Sequence, residues 1–370
     1  MTFDPRSLIR PEVRALQAYQ AGLDSAPGRR VKLDANESPF ALGEAIRGAI
    51  ADELRAALSD VELHRYPDPE ARELRRLLAQ EMGLRPAQVL ATNGSDEAIQ
   101  LLLLAVAGPG VTVLTPVPTF AMYELGARVL GLRYVGVPLD GEYALDTGAF
   151  LAGIRNEQPR LVFLAWPNNP TGGLLDEAAV LTIVRACNGE EAQALVVVDE
   201  AYYHYSGRTV LPRLAELPNL VILRTLSKVG LAGIRLGMLA ASAPLVEEIN
   251  KVRGPYNVNA LSRAAARVVL RHGDVVRRNA AVIVKERERV LRALRDLAGV
   301  TIFPSQANFF LMRTRLPGDA VHQGLLARGV LVRNFSRAPF LSDCLRVTLG
   351  SPEENDAFLA ALRAVLESGR

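Results

Sequence analysis

Only four of the chain's 43 cationic side chains are lysines (Lys32, Lys228, Lys251 and Lys285), so chemistry that needs a primary amine has four candidates. Lys285 lies in KERER, which reads as a solvated helical face, and Lys32 and Lys251 have no more distinctive surroundings. Lys228 differs. It stands in TLSKVGLAGIRLG, just beyond the apolar run LVIL, among the hydroxyls of Thr225 and Ser227, three glycines (Gly230, Gly233, Gly237) and Arg235. Loops beyond the carboxyl ends of strands are where open α/β sheets place ligands. Hydroxyls, close-approach glycines and a guanidinium together suit a phosphate. A lysine beside a phosphate has two readings. One is a nucleotide-binding lysine, but the chain has no GxxxxGK[ST] pattern. The other is a Schiff-base lysine that holds a phosphorylated aldehyde, pyridoxal 5′-phosphate.

The second reading makes a demand on the rest of the sequence, because a pyridoxal ring draws electrons well only while its ring nitrogen is protonated. A buried carboxylate must face it. Asp199 ends the apolar run LVVVD, where an ionised group needs a cation for company; the plainer alternative is a cap for residues 200–205. Pro167-Asn168-Asn169-Pro170-Thr171-Gly172 ends a second apolar run, LVFLAW, and belongs on the same rim of the sheet unless it is a simple Asn-Pro turn. From there Asn169, with the phenol of Tyr202, can reach the cofactor's 3′ oxygen. Thr92 to Glu97 (TNGSDE) opens a helix; it is either a good cap or a source of free N–H groups for a phosphate. Phe120, in TPVPTF, is either a core side chain or a face to stack on a flat ring.

The elements that must position these residues follow α/β order. Patterning predicts helices over 44–58, 70–82, 95–106, 121–130 and 176–186, alternating with strands over 111–114, 133–137, 161–165, 195–198 and 220–223. Runs such as LVFLA and LVVV are apolar throughout, as expected of a mostly parallel sheet with helices on both faces. A helical stretch over 261–297 follows the Gly254-Pro255 break, and then short strands near 300, 309, 330 and 345 mix with two helices. The expected organisation is an N-terminal segment (1–40) packing with the small domain, a large cofactor-binding domain (41–254) and a smaller α+β domain (255–370). A chain of 370 residues supports two such cores.

Composition excludes several classes. A net charge of +3, with no basic tail, gives nucleic acid no footprint. Two cysteines, Cys187 and Cys344, make no disulfide framework, and the four histidines are scattered without metal-ligand spacing, so no metal is expected. The N-terminus does not read as a signal peptide, and no apolar run is long enough to span a bilayer; a cytoplasmic, non-membrane protein is expected.

The motifs NGSDE, PTF, PNNPTG, VDEAYY, TLSK and GIRLG follow one another in that order over residues 93–237. This set resembles the fold type I, pyridoxal-phosphate-dependent aminotransferases. DANESPF (34–40), HRYPDP (64–69) and RNFSRAPFLSDCLRVTLGS (333–351) extend the resemblance over nearly the whole chain, towards the histidinol-phosphate aminotransferase family within that group. The resemblance implies that Lys228 bonds the cofactor and shuttles the proton, Asp199 pairs with the ring nitrogen, Asn169 and Tyr202 hold the 3′ oxygen, and Phe120 stacks on the ring. The phosphate would be held by Ser95, Asp96, Thr225, Ser227 and Arg235, and by Tyr66 reaching across from the other protomer of a homodimer. Arg346 would read the substrate carboxylate and Arg333 a substrate phosphate, with Tyr19 and Asn36 also on the substrate side. In this chain Lys228 and Arg235 stand seven apart, where many such aminotransferases have eight.

The reaction the resemblance implies is transamination of L-histidinol phosphate with 2-oxoglutarate, giving imidazole acetol phosphate and L-glutamate, a step of histidine biosynthesis. Two alternatives share the lysine and the fold: an aminotransferase for aromatic amino acids, and a decarboxylase of a phosphorylated amino acid.

Overall fold

The computed structural model describes residues 4–16, 30–40, 44–60 and 64–368. Tyr19, expected on the substrate side, lies outside them. The chain opens with α1 (Pro11–Arg14) and β1 (Val31–Leu33), then two helices, α2 (Glu44–Asp60) and α3 (Arg72–Met82). In α3, Leu74, Leu78 and Met82 recur every four residues and are buried along one stripe; Gly83, in the left-handed conformation at φ 66°, ends the helix.

A run of alternating elements follows: β2 (Val89–Thr92), α4 (Gly94–Val106), β3 (Thr112–Val117), α5 (Ala121–Val129), β4 (Arg133–Pro138), α6 (Thr147–Glu157), β5 (Leu161–Ala165), α7 (Glu177–Ala186), β6 (Leu195–Asp199), α8 (Tyr203–Ser206), β7 (Leu220–Thr225), β8 (Gly237–Ala240) and α9 (Ala243–Asn250). Asp146 and Asp176 cap α6 and α7 by accepting the backbone N–H of Ala149 and Ala179. The strands form one sheet in the order β2-β8-β7-β6-β5-β3-β4, in which β8 alone runs antiparallel to its neighbours. Helices cover both faces, as the all-apolar strands require.

The order of strands reverses between β3 and β5. Ligands collect at the carboxyl ends of strands at such a switch point.

The last part holds α10 (Ala260–Arg271), α11 (Gly273–Arg295), β9 (Val300–Ile302), β10 (Phe309–Thr314), α12 (Gly318–Ala327), β11 (Val330–Asn334), β12 (Cys344–Thr348) and α13 (Pro352–Ser368). Its sheet runs β1-β11-β12-β10-β9; only β1 and β11 are parallel, so the N-terminal strand closes one edge.

Three features depart from the sequence reading. The expected helix over 261–297 is two helices that meet at His272-Gly273. α10 and the start of α11 belong to the large-sheet core through Val258, Ala266, Val268, Val269 and Val276, whereas Ala280, Ile283, Val290 and Leu294 of α11 join the small-sheet core. The third is α6, which patterning did not single out: its GAFLAG stretch is small-residue-rich, and it buries only Phe150 and Ile154.

Candidate active site

The carboxyl ends of β3, β5, β6 and β7 surround a cavity of about 320 Å³. Its walls include ten of the residues singled out from the sequence: Ser95, Asp96, Phe120, Asn169, Asp199, Tyr202, Thr225, Ser227, Lys228 and Arg235. Most arrive from a strand end or the turn after it, Ser95 and Asp96 from the first turn of α4 and Arg235 from the turn before β8, which is why motifs scattered over 140 residues converge.

Asp199 is the last residue of β6 and is 5% exposed. Burial pushes its carboxyl up to about 6, against the Tyr123 hydroxyl and the Ala201 N–H, which favour the anion. Tyr123 donates to Oδ2 at 2.8 Å and Ala201 to Oδ1 at 3.1 Å. Tyr123 is itself fully buried, stacked on Phe163 with centroids 4.4 Å apart and edge-on to Phe120 at 5.6 Å. Sequence reasoning missed it, because an aromatic three residues after Phe120 at the start of a helix reads as core.

Lys228 lies in a 3₁₀ turn beyond β7, with its Nζ 6.0 Å from the centre of the Tyr202 ring. Burial chiefly, and then the Arg346 charge, bring its amine down to about 8. Tyr205 donates its hydroxyl to the Lys228 carbonyl and fixes the turn.

At the other end, Arg235 stands at the start of α4. Its Nη2 donates to Asp96 Oδ2 at 3.1 Å and its Nη1 to Ser227 Oγ at 3.3 Å. Thr225 Oγ1 donates to Ser227 Oγ at 3.0 Å and accepts the Ser227 N–H at 3.1 Å. The seven-residue spacing is met by two 3₁₀ turns, with Gly230 and Arg235 in the left-handed region. Glycine is required twice nearby. A β-carbon on Gly94 (φ 77°) would fall 2.7 Å from the Arg235 guanidinium, and one on Gly237 would fall 2.4 to 2.7 Å from the backbone of Gly94 and Ser95.

Asn168, the neighbour of the residue chosen from the sequence, joins the two loops at the switch point. Its Nδ2 donates to Pro118 O and Thr171 Oγ1, and its Oδ1 accepts from Thr119. Asn169 instead accepts from Arg346 Nη1 at 2.6 Å, and Arg346 Nη2 donates to Asp34 O at 2.7 Å. Arg346 is 7% exposed and pairs across the ladder with Arg333, which is half-buried. Both arginines stand outside the cavity's lining. Asn36, expected on the substrate side, donates to the Tyr202 hydroxyl at 2.9 Å; its backbone sits at φ 55°, held by Thr348 and Asn308. Tyr66 is not among the cavity's lining residues; it is 80% exposed and stacks on Tyr256 with centroids 4.4 Å apart.

A buried acid at one end, an amine of lowered basicity between, and hydroxyls, a guanidinium and a helix N-terminus at the other fit a flat cationic ring with an aldehyde and a phosphate. The glycine cradle at Gly94 and Gly237 fits the same group, since it brings the backbone close where a phosphate would lie.

The family model "Aminotransferase class I and II" matches residues 29–362. The chain belongs to the class I and II aminotransferases. Among these aminotransferases it is 47% identical over 363 residues to histidinol-phosphate aminotransferase 1 of Ralstonia nicotianae, covering 97% of this chain and 95% of that one. It is also 47% identical to the histidinol-phosphate aminotransferase of Methylibium petroleiphilum, over 97% and 94% of the two chains. The fold of this aminotransferase matches that of histidinol-phosphate aminotransferase from Sinorhizobium meliloti in complex with pyridoxal 5′-phosphate, with TM-score 0.84, 26% identity and 98% and 99% coverage. A phosphothreonine decarboxylase from Porphyromonas gingivalis shares the fold alone, at TM-score 0.77 and 24% identity.

Proposed function

We propose that this chain is a pyridoxal 5′-phosphate-dependent enzyme that transfers the amino group of L-histidinol phosphate to 2-oxoglutarate, in histidine biosynthesis. The observation that carries the reading is the cavity in which Lys228 and Asp199 both stand, with Arg346 touching its wall through Asn169. The near-full-length likeness to named histidinol-phosphate aminotransferases supports the substrate assignment.

When bound, pyridoxal 5′-phosphate supplies an aldehyde that condenses with amines and a cationic ring that draws electrons from the substrate's α carbon. Lys228 would hold the aldehyde until the substrate's amine displaces it, and its freed Nζ would then take the proton from the substrate's α carbon. Asp199, anchored by Tyr123 and Ala201, places a negative charge against the ring nitrogen. Phe120 would cover a ring face, and Tyr202 and Asn169 would hydrogen-bond the 3′ oxygen. Ser95, Thr225, Ser227 and Arg235 would hold the phosphate, with Asp96 at the helix start beside it paired with Arg235. Arg346 and Arg333, side by side on β12 and β11, would read the substrates' anions, Arg346 a carboxylate of one substrate or the phosphate of the other, and Arg333 the phosphate. Tyr19, which lies outside the described residues, is proposed for the substrate side on the family likeness alone. Asn36 acts there by fixing the Tyr202 phenol.

We also propose a homodimer in which Tyr66 of one protomer reaches the other's phosphate cradle; it is 80% exposed, with one ring face on Tyr256. The proposed division is an N-terminal segment (1–40), a large domain (41–254) and a small domain (255–370), with α10 and the start of α11 packing into the large-sheet core. A cytoplasmic setting suits a small-molecule enzyme in which, among the described residues, no helix is long and apolar enough to cross a membrane.

The test is an assay of the purified, cofactor-loaded chain with histidinol phosphate, with and without 2-oxoglutarate. Glutamate formed only when both are present supports the reading. Carbon dioxide released from a phosphorylated amino acid without the keto acid, or a faster rate with phenylalanine than with histidinol phosphate, would replace it.

A further inference from the structure

Between β4 and α6 the large-sheet unit sends out a short loop, residues 139–146, whose Leu139 and Tyr143 share a small apolar cluster with Phe303, Leu311, Leu341 and Cys344 of the small-sheet unit. Tyr143 sits at φ 61°, a region that a residue bearing a β-carbon seldom enters. The Asp140 side chain holds the loop in that shape: Oδ1 accepts the N–H of Glu142 at 2.9 Å and of Ala144 at 2.8 Å. The Tyr143 N–H also donates to Asp140 O at 3.0 Å. A disfavoured backbone so held is a sign that the side chain's direction matters.

The ring is 8% exposed, with its centroid 4.7 Å from that of Phe303. Its hydroxyl donates to the Phe340 carbonyl at 3.0 Å and accepts from Arg313 Nη2 at 3.3 Å. Phe340 belongs to residues 335–343, which link β11 to β12 and hence Arg333 to Arg346. The small-sheet unit fastens this link from its own side: Gly318 N–H donates to Asp343 Oδ1 at 2.8 Å, and Arg313 Nε to Ser342 O at 3.1 Å. Tyr143 fastens it from the side of the sheet that carries Lys228. Phe335, at the start of the link, has its ring 5.6 Å from the Arg346 guanidinium.

We propose that Tyr143 is a positioning residue for substrate recognition: a peg from the large-sheet unit that sets the 335–343 link, and through it the two arginine strands, relative to the cavity. The role rests on the transamination reading above. Tyr143 lies outside the cavity lining, so losing it alters how substrates are read and leaves cofactor binding intact.

The test compares Tyr143→Gly and Tyr143→Phe in the full, cofactor-loaded chain. Glycine removes the peg at a φ it adopts without strain, and phenylalanine removes only the hydroxyl. The expected result is a KM for both histidinol phosphate and 2-oxoglutarate raised by about fivefold or more in Tyr143→Gly and by about twofold in Tyr143→Phe, with kcat changed less than about threefold. The dissociation constant of pyridoxal 5′-phosphate, read by absorbance titration, stays within about twofold of the parent. Unchanged KM values with only a lowered melting temperature would overturn the proposal, and so would a parallel loss of cofactor affinity. Should Tyr143→Gly fail to fold, an unaltered KM in Tyr143→Phe overturns it alone. A parent chain that binds the cofactor yet turns over neither substrate defeats the functional reading and this proposal together, and the parent's own inactivity identifies that case.

Discussion

The Tyr123 hydroxyl donates to Oδ2 of Asp199 across 2.8 Å, and the same ring meets Phe120 edge-on, so one buried side chain braces both the proposed partner of the ring nitrogen and the proposed stacking face. Replacing it with phenylalanine keeps the packing and removes the donor. Tyr123→Phe is expected to raise the Asp199 pKa, to weaken cofactor affinity by about tenfold as befits a hydrogen bond to a charged group, and to move the acid limb of the activity profile to higher pH. Cofactor titration and a pH–rate profile check this.

The raised Asp199 carboxyl makes a second prediction for the cofactor-free chain. A pKa raised from 3.8 to about 6 means the folded state binds that proton more tightly than the unfolded state does. Stability from this group is therefore present below pH 3.8 and lost as pH rises through about 6, a change on the order of 3 kcal/mol. A cationic ring opposite the carboxylate offsets the loss. The rise in melting temperature on adding pyridoxal 5′-phosphate should accordingly be larger at pH 7 than at pH 5.

An amine whose pKa is lowered to about 8 is neutral in about a tenth of molecules at pH 7, where an ordinary lysine is neutral in about 0.03%. The rate at which cofactor attaches to the cofactor-free chain should rise with pH to a midpoint near 8. Borohydride reduction and peptide mapping should find the label on Lys228; label on Lys32, Lys251 or Lys285 would contradict the assignment. Lys228→Ala should abolish turnover.

Asp199 was legible because an apolar run that stops at a charged group marks both a buried strand and its rim, and Lys228 because it follows the apolar run LVIL by a few residues. The 16–20 Å of such a strand also fixed which residues share that rim. Relationships across the fold were not legible. The pairing of Arg333 with Arg346 depends on strand register, and the bond from Asn36 to Tyr202 depends on β1 joining a sheet made of residues far along the chain. β8 (GMLA) carries no β-branched residue and β2 (VLAT) is only four residues long, and their strand character comes from the neighbours they pair with. The break at His272-Gly273 escaped notice because the arginine and alanine around it favour helix on both sides.

Arg346 spans Asn169 and Asp34, at 2.6 and 2.7 Å. Arg346→Ala is expected to raise KM for both histidinol phosphate and 2-oxoglutarate by about a hundredfold, the scale of losing a charge-assisted bidentate contact. Arg333→Ala should mainly harm the phosphorylated substrate. Equal losses for both substrates in steady-state kinetics would refute that division.

A β-carbon on Gly237 would meet backbone atoms of Gly94 and Ser95, none of which can rotate aside. Gly237→Ala should lower stability by about 1–3 kcal/mol through overpacking and should displace the start of α4, with cofactor affinity reduced by about tenfold or more. Thermal unfolding and cofactor titration measure the two effects separately.

The edge strand β1 finds its partner strand 299 positions away, at Val330 to Val332, and Asn36 finds Thr348 312 positions away. On the ribosome, then, the first strand of the small sheet emerges early and must wait for almost the entire polypeptide before it can be seated. Nascent or truncated products lacking the last few dozen residues would carry the lysine, the acid and the phosphate cradle, yet have nothing to recognise a substrate with. Segments about 300 residues apart have to be made before the enzyme can choose what it works on.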